Sequence, residues 1–125
     1  MLNVYVKNTN KYGRGVYAAR DIKKGERFEV SHTIMFSEEE WLKIKETSLL
    51  NYCFYWDYNP NYVVIALGYG SLFNHSYNPN AVFFNNKVDL TVDFYAITDI
   101  NKDEEITINY NGDIEDKSLL WFNVI

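Results

Sequence analysis

The hydrophobic and polar positions of this chain alternate in short runs, which is the pattern of half-buried β-strands. Runs bounded by turn residues predict strands at 4–7, 16–19, 27–35, 62–67 and 105–108. Two further runs, 81–84 and 90–96, are joined through Asn85-Asn86, a dipeptide that tolerates left-handed backbone and predicts a hairpin turn. Many short strands punctuated by turns predict a mostly β domain.

One segment has the pattern of a helix start. Ser37 is a candidate N-cap, Glu40 completes a capping box, and acidic residues suit the first turn of a helix. The helix is predicted to run to about Glu46. The apolar and aromatic stretch 49–56 is compatible with a strand or with a helix end, and a short helical turn is predicted at 72–73.

Length and composition limit the class of protein. A chain of 125 residues with 47% apolar residues predicts one globular domain, residues 1–125, with a modest core. The net charge of −5 argues against direct nucleic-acid binding, which requires a basic face. An acidic surface either attracts a basic protein or peptide or simply keeps the protein in solution. The sequence shows no signal peptide and no membrane-spanning stretch, so an intracellular protein is expected.

Cys53 is the only cysteine of the chain. A disulfide within the chain and a zinc cluster of cysteines are therefore both excluded. Cys53 stands in an apolar-aromatic run, which predicts a small buried hydrophobic residue rather than a nucleophile. No metal site is predicted.

Three ordered segments carry the strongest functional signal. Residues 13–19 are Gly-Arg-Gly-Val-Tyr-Ala-Ala, residues 70–80 are Gly-Ser-Leu-Phe-Asn-His-Ser-Tyr-Asn-Pro-Asn, and residues 104–110 are Glu-Glu-Ile-Thr-Ile-Asn-Tyr. In this order and spacing they resemble the signature motifs of the SET domain, the fold of most protein-lysine methyltransferases. The resemblance covers about residues 12–113 and leaves 114–125 as a C-terminal tail. An unrelated small β protein would need three ordered motifs to arise by chance.

The resemblance implies a fold and an activity. The fold would be a SET-domain (β-clip) arrangement of small curved sheets, with one or two short helices and a pseudoknot in which the C-terminal segment threads under a loop. The bare size is typical of viral and some bacterial members, which lack the accessory regions before and after the domain. The activity would be transfer of a methyl group from S-adenosyl-L-methionine to a lysine ε-amine, an in-line displacement that depends on alignment.

The resemblance also implies roles for individual residues. Tyr110 would be the catalytic residue, its hydroxyl holding the amine beside the methyl group. The residues expected to bind the cofactor are Gly13, Arg14, Gly15, Tyr52, Asn74, His75, Tyr110 and Trp121. Four of these assignments have alternatives. The Gly13-Arg14-Gly15 segment would otherwise be an ordinary β-turn, and Tyr110 would otherwise be a buried strand tyrosine with a satisfied hydroxyl. His75 would otherwise pin the pseudoknot by hydrogen bonds, and Trp121 would otherwise pack on the core instead of stacking on adenine.

The substrate channel is expected to be lined by Tyr52, Phe83 and Ile108. Phe83 stands where some family members carry a channel tyrosine, and without a hydroxyl it would permit a higher methylation state. The lysine must be neutral to attack, and a nearby sulfonium lowers its pKa, so no dedicated general base is required.

The expected partner is a lysine-containing protein or peptide. A histone is the family-level expectation and would place the protein in the nucleus of a eukaryotic host, whereas a ribosomal or other basic protein fits as well and is compatible with the cytoplasm. Self-association into a homodimer would complete so small a surface. The alternative function is a SET-like module that has lost turnover and binds a peptide or protein partner.

Overall fold

A computed structural model of the protein describes residues 2–11, 13–58 and 61–120, the side chains of residues 57, 58 and 61 excepted. These residues form a four-stranded and a five-stranded sheet and one α-helix, so the prediction of a mostly β fold is confirmed. The strands are β1 (Val4–Asn8), β2 (Arg14–Ala18), β3 (Arg27–Phe36), β4 (Cys53–Tyr58), β5 (Asn61–Ala66), β6 (Asn74–His75), β7 (Ala81–Asn86), β8 (Thr91–Ala96) and β9 (Glu105–Ile108).

The four-stranded sheet has the strand order β1-β2-β9-β6. Strand β9 lies antiparallel to β2, with Val16 opposite Ile106, and parallel to β6, with Asn74 opposite Thr107. This order places the last strand between the first hairpin and the Asn74-His75 segment. Three segments that are far apart in sequence therefore meet in one sheet.

The five-stranded sheet has the order β4-β5-β3-β8-β7, with antiparallel neighbours throughout. Its two edge strands approach each other, since Asn85 Nδ2 of β7 donates to the Tyr55 carbonyl of β4 at 3.0 Å. Register shifts in β3 and β4 contribute to this curvature, because a bulge bends its strand and increases the local twist.

The two sheets share one hydrophobic core. Val16 and Ile106 of the first sheet and Phe28, Val64 and Phe94 of the second belong to the same cluster, and each is at most 2% exposed. Strand β9 alternates half-buried and buried positions, as the sequence pattern predicts, whereas β2 and β8 are buried at all but one position each and are therefore covered on both faces.

The helix α1 (Glu38–Ile44) begins with the predicted capping box. Glu40 N donates to Ser37 Oγ at 3.2 Å, and Ser37 N donates to Glu40 Oε1 at 3.0 Å. The helix ends before Glu46, and a 3-10 helix (Ser48–Tyr52) leads into β4. The ambiguous stretch 49–56 is thus helical in its first half and extended in its second. The helical turn predicted at 72–73 is a 3-10 helix at Gly70–Leu72.

The predicted hairpin is confirmed, since β7 pairs antiparallel with β8, but the predicted position of its turn, Asn85-Asn86, is wrong. Both residues belong to β7, and the turn falls at 87–90, where Leu90 has a φ of 58°. Asn86 organises this turn through its side chain, because Val88 N and Asp89 N donate to Asn86 Oδ1 at 3.1 and 3.0 Å. The sequence also predicts a turn at 57–61 around Pro60, but β4 extends to Tyr58 and β5 begins at Asn61. Residues 59–60 lie outside the described residues.

None of the helices in the described ranges has the length and apolar character needed to cross a bilayer.

Candidate functional site

The first candidate group lies where β2, β6 and β9 meet. Asn74 Nδ2 donates to Glu105 Oε2 at 2.8 Å and to the Arg14 carbonyl at 3.2 Å. We call the group formed by Gly13, Arg14, Gly15, Asn74 and Glu105 the polar corner. Each of the three sequence motifs contributes at least one residue to it. The structure therefore brings together residues that are far apart in the sequence.

The two glycines of the polar corner serve different purposes. Gly13 has a φ of +76°, a conformation that favours glycine, and a Cβ there would contact nothing within 4 Å. Gly15 has no room for a side chain, since a Cβ would lie 2.6 Å from Glu105 Oε2 and 2.9 Å from Asn74 Nδ2. Glycine at position 15 therefore allows the amide and the carboxylate to approach the backbone closely.

His75 connects the second motif to the third. Its side chain is buried, and its Nδ1 accepts a hydrogen bond from Tyr110 N at 2.9 Å. Nδ1 therefore carries no proton in this arrangement. Burial lowers the pKa of His75, because an imidazolium would lose its hydration. A neutral His75 thus holds the backbone after β9 against the Asn74-His75 strand. This contact agrees with the alternative role given to His75, in which it holds segments together by hydrogen bonds.

Tyr110 has a fixed hydroxyl. Its OH donates to the Phe73 carbonyl at 2.6 Å, and its ring lies 5.2 Å from that of His75. The hydroxyl proton of Tyr110 is therefore donated to a main-chain acceptor, and the ring of Tyr110 packs against the ring of His75.

The second candidate group is a cavity of about 420 Å³, which we call the aromatic cavity. Its walls come from α1, the first 3-10 helix, β4, β7 and the segment after β9. The aromatic residues that line it are Trp41, Tyr52, Phe54, Tyr55, Trp56, Phe73, Phe83, Phe84 and Tyr110. A mostly apolar cavity of this size with few polar groups is typical of a small-molecule or side-chain binding site.

The predicted channel residues have different positions. Tyr52 is 39% exposed and lines the cavity, and its carbonyl accepts from Ser71 Oγ at 2.7 Å. Phe83 also lines the cavity and packs edge-on against Phe54, with ring centroids 5.0 Å apart. Ile108 is fully buried in the core and is not among the lining residues.

Tyr110 joins the two groups. Its side chain lines the aromatic cavity, while its backbone N–H is bonded to His75, the neighbour of Asn74. Gly13, Arg14, Gly15, Asn74 and His75 do not line the cavity. Trp121 lies outside the described residues.

Sequence reasoning missed most of the cavity wall. Trp41, Phe54, Tyr55 and Phe84 belong to no motif, and the aromatic content of 18% is the only signal that pointed to such a wall. It also missed Glu105 as a partner of Asn74. The order of the motifs was a usable signal there, since parallel pairing of β6 with β9 brings the two residues into reach.

Amide side chains hold the C-terminal segment in place. Asn109 Nδ2 donates to the Asp116 carbonyl at 2.7 Å, and Asn111 Nδ2 donates to the Ser118 carbonyl at 3.1 Å. Tyr77 OH donates to the same Ser118 carbonyl at 2.8 Å. Residues 113–118 are thereby tied to the segment that follows β9 by the two asparagines and to the loop after β6 by Tyr77.

Cys53 has the character of an inert thiol. Burial raises the pKa of Cys53 to about 11, and its Sγ donates to the Leu49 carbonyl at 3.2 Å. A protonated thiol is a poor nucleophile. Across the described part of the chain, no three His, Cys, Asp or Glu side chains are grouped so that they would hold a metal ion.

Comparison with known proteins identifies the motif arrangement. The family model of the SET domain matches residues 13–111. The chain is 33% identical over 118 residues to a histone-lysine N-methyltransferase of Schizosaccharomyces pombe that is specific for H3 lysine-37, a match that covers 94% of this chain and 75% of the relative. It is also 33% identical over 123 residues to the histone-lysine N-methyltransferase trr of Drosophila melanogaster, where the match covers 93% of this chain and 5% of the relative.

Solved structures agree with the sequence comparison. A Plasmodium falciparum crystal structure assigned as a histone methyltransferase superposes with a TM-score of 0.74 at 32% identity, covering 88% of this chain and 94% of that one. A Chaetomium thermophilum Polycomb Repressive Complex 2 bound to S-adenosylmethionine superposes with a TM-score of 0.74 at 22% identity over 87% of this chain and 15% of that one. At that identity, the second likeness supports the fold alone.

Proposed function

The chain belongs to the SET-domain family of protein-lysine N-methyltransferases, and from this premise we propose that it moves a methyl group from S-adenosyl-L-methionine to the ε-amine of a lysine in a protein. The observation that carries the proposal is the position of Tyr110. It lies at the junction of a polar corner, which suits the cofactor, and an aromatic cavity, which suits an alkyl amine.

The residues of the polar corner fit the amino-acid end of the cofactor. Both N–H groups of Asn74 have acceptors, so its Oδ1 is the end available to a cationic donor. Gly15 keeps the backbone open at this point, since any Cβ would fill the space beside Asn74. Gly13, Arg14 and Gly15 would contribute backbone groups, and His75 would hold the strand that carries Asn74.

The bound cofactor supplies an electrophilic methyl group on a positively charged sulfur. The aromatic cavity would receive the lysine from the other side, with Tyr52 and Phe83 against its alkyl stem. A mostly aromatic wall excludes water and disfavours the charged form of the amine, and a neutral nitrogen has the lone pair that forms the new N–C bond. The proton that the product amine carries can leave to solvent.

Tyr110 would position the attacking nitrogen. Because its proton is donated to the Phe73 carbonyl, its oxygen acts toward the lysine amine as an acceptor. That hydrogen bond orients the amine without transferring a proton. Preorganised oxygen atoms around the transferring methyl group add weak C–H···O contacts that are strongest at the transition state.

Further parts of the site extend the proposal. Trp121 would stack on the adenine, and Ile108 would support the channel from the core behind it. The crossing of residues 113–118 over the loop after β6 would be the pseudoknot, and residues 1–125 would form one domain. A homodimer would complete the surface of so small a unit.

We propose a histone as the substrate class. The relative from Schizosaccharomyces pombe acts on histone H3, and the net charge of −5 on this chain complements a basic tail. Such a substrate would place the protein in a nucleus.

Calorimetric titration with S-adenosylmethionine tests the cofactor step first. We expect saturable binding by the wild type, loss of at least about tenfold in affinity for Asn74→Ala, and no loss for Asn78→Ala, an exposed asparagine of the same loop. Transfer of a labelled methyl group to histone H3 tests the chemistry. Binding of the cofactor with no methyl transfer to any lysine-containing protein would favour the alternative function, a module that recognises a partner without turnover.

A further inference from the structure

Glu105 contributes the carboxylate of the polar corner, and it stands on β9, the strand next to the one that carries Asn74. We propose that Glu105 is a positioning residue, which fixes the end of the Asn74 amide that is presented to the cofactor. This inference rests on the proposed function, because it assigns a task to the same site.

The hydrogen-bond partners of Asn74 determine its orientation. Glu105 Oε2 lies 2.8 Å from Asn74 Nδ2, and the Arg14 carbonyl lies 3.2 Å from the same nitrogen. An ionised carboxylate and a main-chain carbonyl are both acceptors only. The alternative orientation would place Oδ1 against two acceptors, so the amide has one stable orientation.

The main chain of Glu105 is itself held in place. Glu105 opens β9 opposite Tyr17, and its main-chain carbonyl accepts from Asn80 Nδ2 at 2.8 Å. Asn80 Oδ1 in turn accepts from Thr107 N at 2.9 Å, so one side chain brackets the start of this strand. Gly15 leaves the space into which the carboxylate reaches, since Oε2 lies 2.6 Å from the place of a Cβ. The backbone from which the carboxylate extends toward Asn74 is thus positioned by the sheet.

The fixed orientation selects a class of ligand. With Nδ2 committed to Glu105, the carbonyl end of Asn74 is available to an N–H donor, and the α-ammonium of an amino acid is such a donor with three N–H groups. The negative charge of Glu105 also polarises the amide and attracts a nearby cation. An amide that turns freely would present N–H groups to the ammonium part of the time, and the affinity would fall.

Substitution of Glu105 by glutamine tests this role with little change of shape. A glutamine amide offers both a donor and an acceptor, so only the Arg14 carbonyl, 3.2 Å from Nδ2, would still favour one orientation of Asn74. We expect Glu105→Gln to weaken binding of S-adenosylhomocysteine, the cofactor without its transferable methyl group, about tenfold or more. The matched control is Glu104→Gln, next in sequence, whose exposed carboxylate accepts from Asn80 Nδ2 and from Asn101 N, each at 3.3 Å. This substitution should change the affinity less than about twofold.

Two further measurements separate positioning from support of the fold. The Tm of the ligand-free protein should be alike for the two glutamine variants. In a nitrogen-proton NMR spectrum, the side-chain amide signals of Asn74, identified by their loss in Asn74→Ala, should move in Glu105→Gln and stay in place in Glu104→Gln.

The outcomes are distinct. Unchanged affinity of Glu105→Gln, or weaker binding with a lowered Tm and unmoved Asn74 signals, would overturn the positioning role and leave the proposed function standing. A folded wild type that binds neither S-adenosylmethionine nor S-adenosylhomocysteine would overturn the proposed function and this inference with it.

Discussion

The polar corner and the aromatic cavity are adjacent, yet they are built on opposite principles. The polar corner depends on two short hydrogen bonds of Asn74 and on one glycine, Gly15, with no room for a methyl group. The cavity depends on many aromatic rings from separate elements, each contributing part of a wall. A single atom can therefore disrupt the corner, whereas the cavity should tolerate most changes that conserve volume. Tyr110 lines the cavity and is bonded through its backbone N–H to His75, the neighbour of Asn74, so it links the two regions.

We expect the largest effect at Tyr110, the residue that links the two regions. Tyr110→Phe removes the hydroxyl that donates to the Phe73 carbonyl and keeps the ring that lines the cavity. We expect methyl transfer to fall by about 100-fold or more, since an oriented oxygen is lost from the transition state. Affinity for S-adenosylmethionine should change little. Tyr5→Phe, which removes an exposed hydroxyl bonded to Asp103 at 2.8 Å, is the control and should remain active. An active Tyr110→Phe would remove Tyr110 from the chemistry.

The next effect tests the corner alone. Gly15→Ala would place a methyl group 2.6 Å from Glu105 Oε2, so the amide and the carboxylate must separate. We expect cofactor affinity to fall by tenfold or more, with a stability loss of about 1–3 kcal/mol. Gly25→Ala is the control: its φ of +87° makes alanine cost roughly 1–2 kcal/mol, but no atom lies within 4 Å of the new Cβ. Equal affinities in the two variants would contradict the close-packed corner.

The pH dependence of stability should test His75, the residue whose side chain connects the two regions. The pKa of His75 is lowered in the folded protein, so below its unfolded value of about 6.5 the unfolded chain binds the proton more readily. Stability is therefore complete above that pH and falls as the pH decreases through about 6.5 toward the lower folded value. We expect the Tm of the wild type to fall more between pH 7 and pH 5 than that of His75→Gln, whose side chain does not titrate. Parallel curves would show that His75 is not the group responsible.

The smallest effect is expected in the cavity wall. Phe83→Tyr adds a hydroxyl to a ring that already packs against Phe54, so the fold and cofactor affinity should be retained. If that hydroxyl restrains the amine, mass spectrometry of the products should show fewer trimethylated and more monomethylated lysines. An unchanged product distribution would show that the ring, and not its substituent, matters at this position.

The two regions also differ in how far the sequence predicts them. The strands were predictable because alternation is a local property, and the capping box at Ser37 and Glu40 was predictable because it spans one helical turn. The sequence motifs pointed to most residues of the polar corner, although Glu105 looked like an ordinary strand residue. The wrong turn at Asn85-Asn86 has a physical cause, since Asn86 directs the turn through its side chain from the end of a strand.

The cavity could not be predicted in the same way. Its wall forms where the edge strands β4 and β7 approach each other, and the bond from Asn85 to the Tyr55 carbonyl spans thirty residues of sequence. No local pattern encodes that contact. An aromatic residue in a β-strand is equally compatible with a core and with a binding wall, so only the curvature of the sheet decides between them.

The fastening of residues 113–118 has a consequence for the evolution of such chains. Asn109, Asn111 and Tyr77 hold main-chain carbonyls, which every amino acid possesses. Selection should therefore act on the three residues that hold the segment and leave the side chains of the held residues free to drift. Among descendants of a common ancestor, we expect the two asparagines and the tyrosine to persist while the segment itself varies. Attachment of this segment is then inherited through a few side-chain donors.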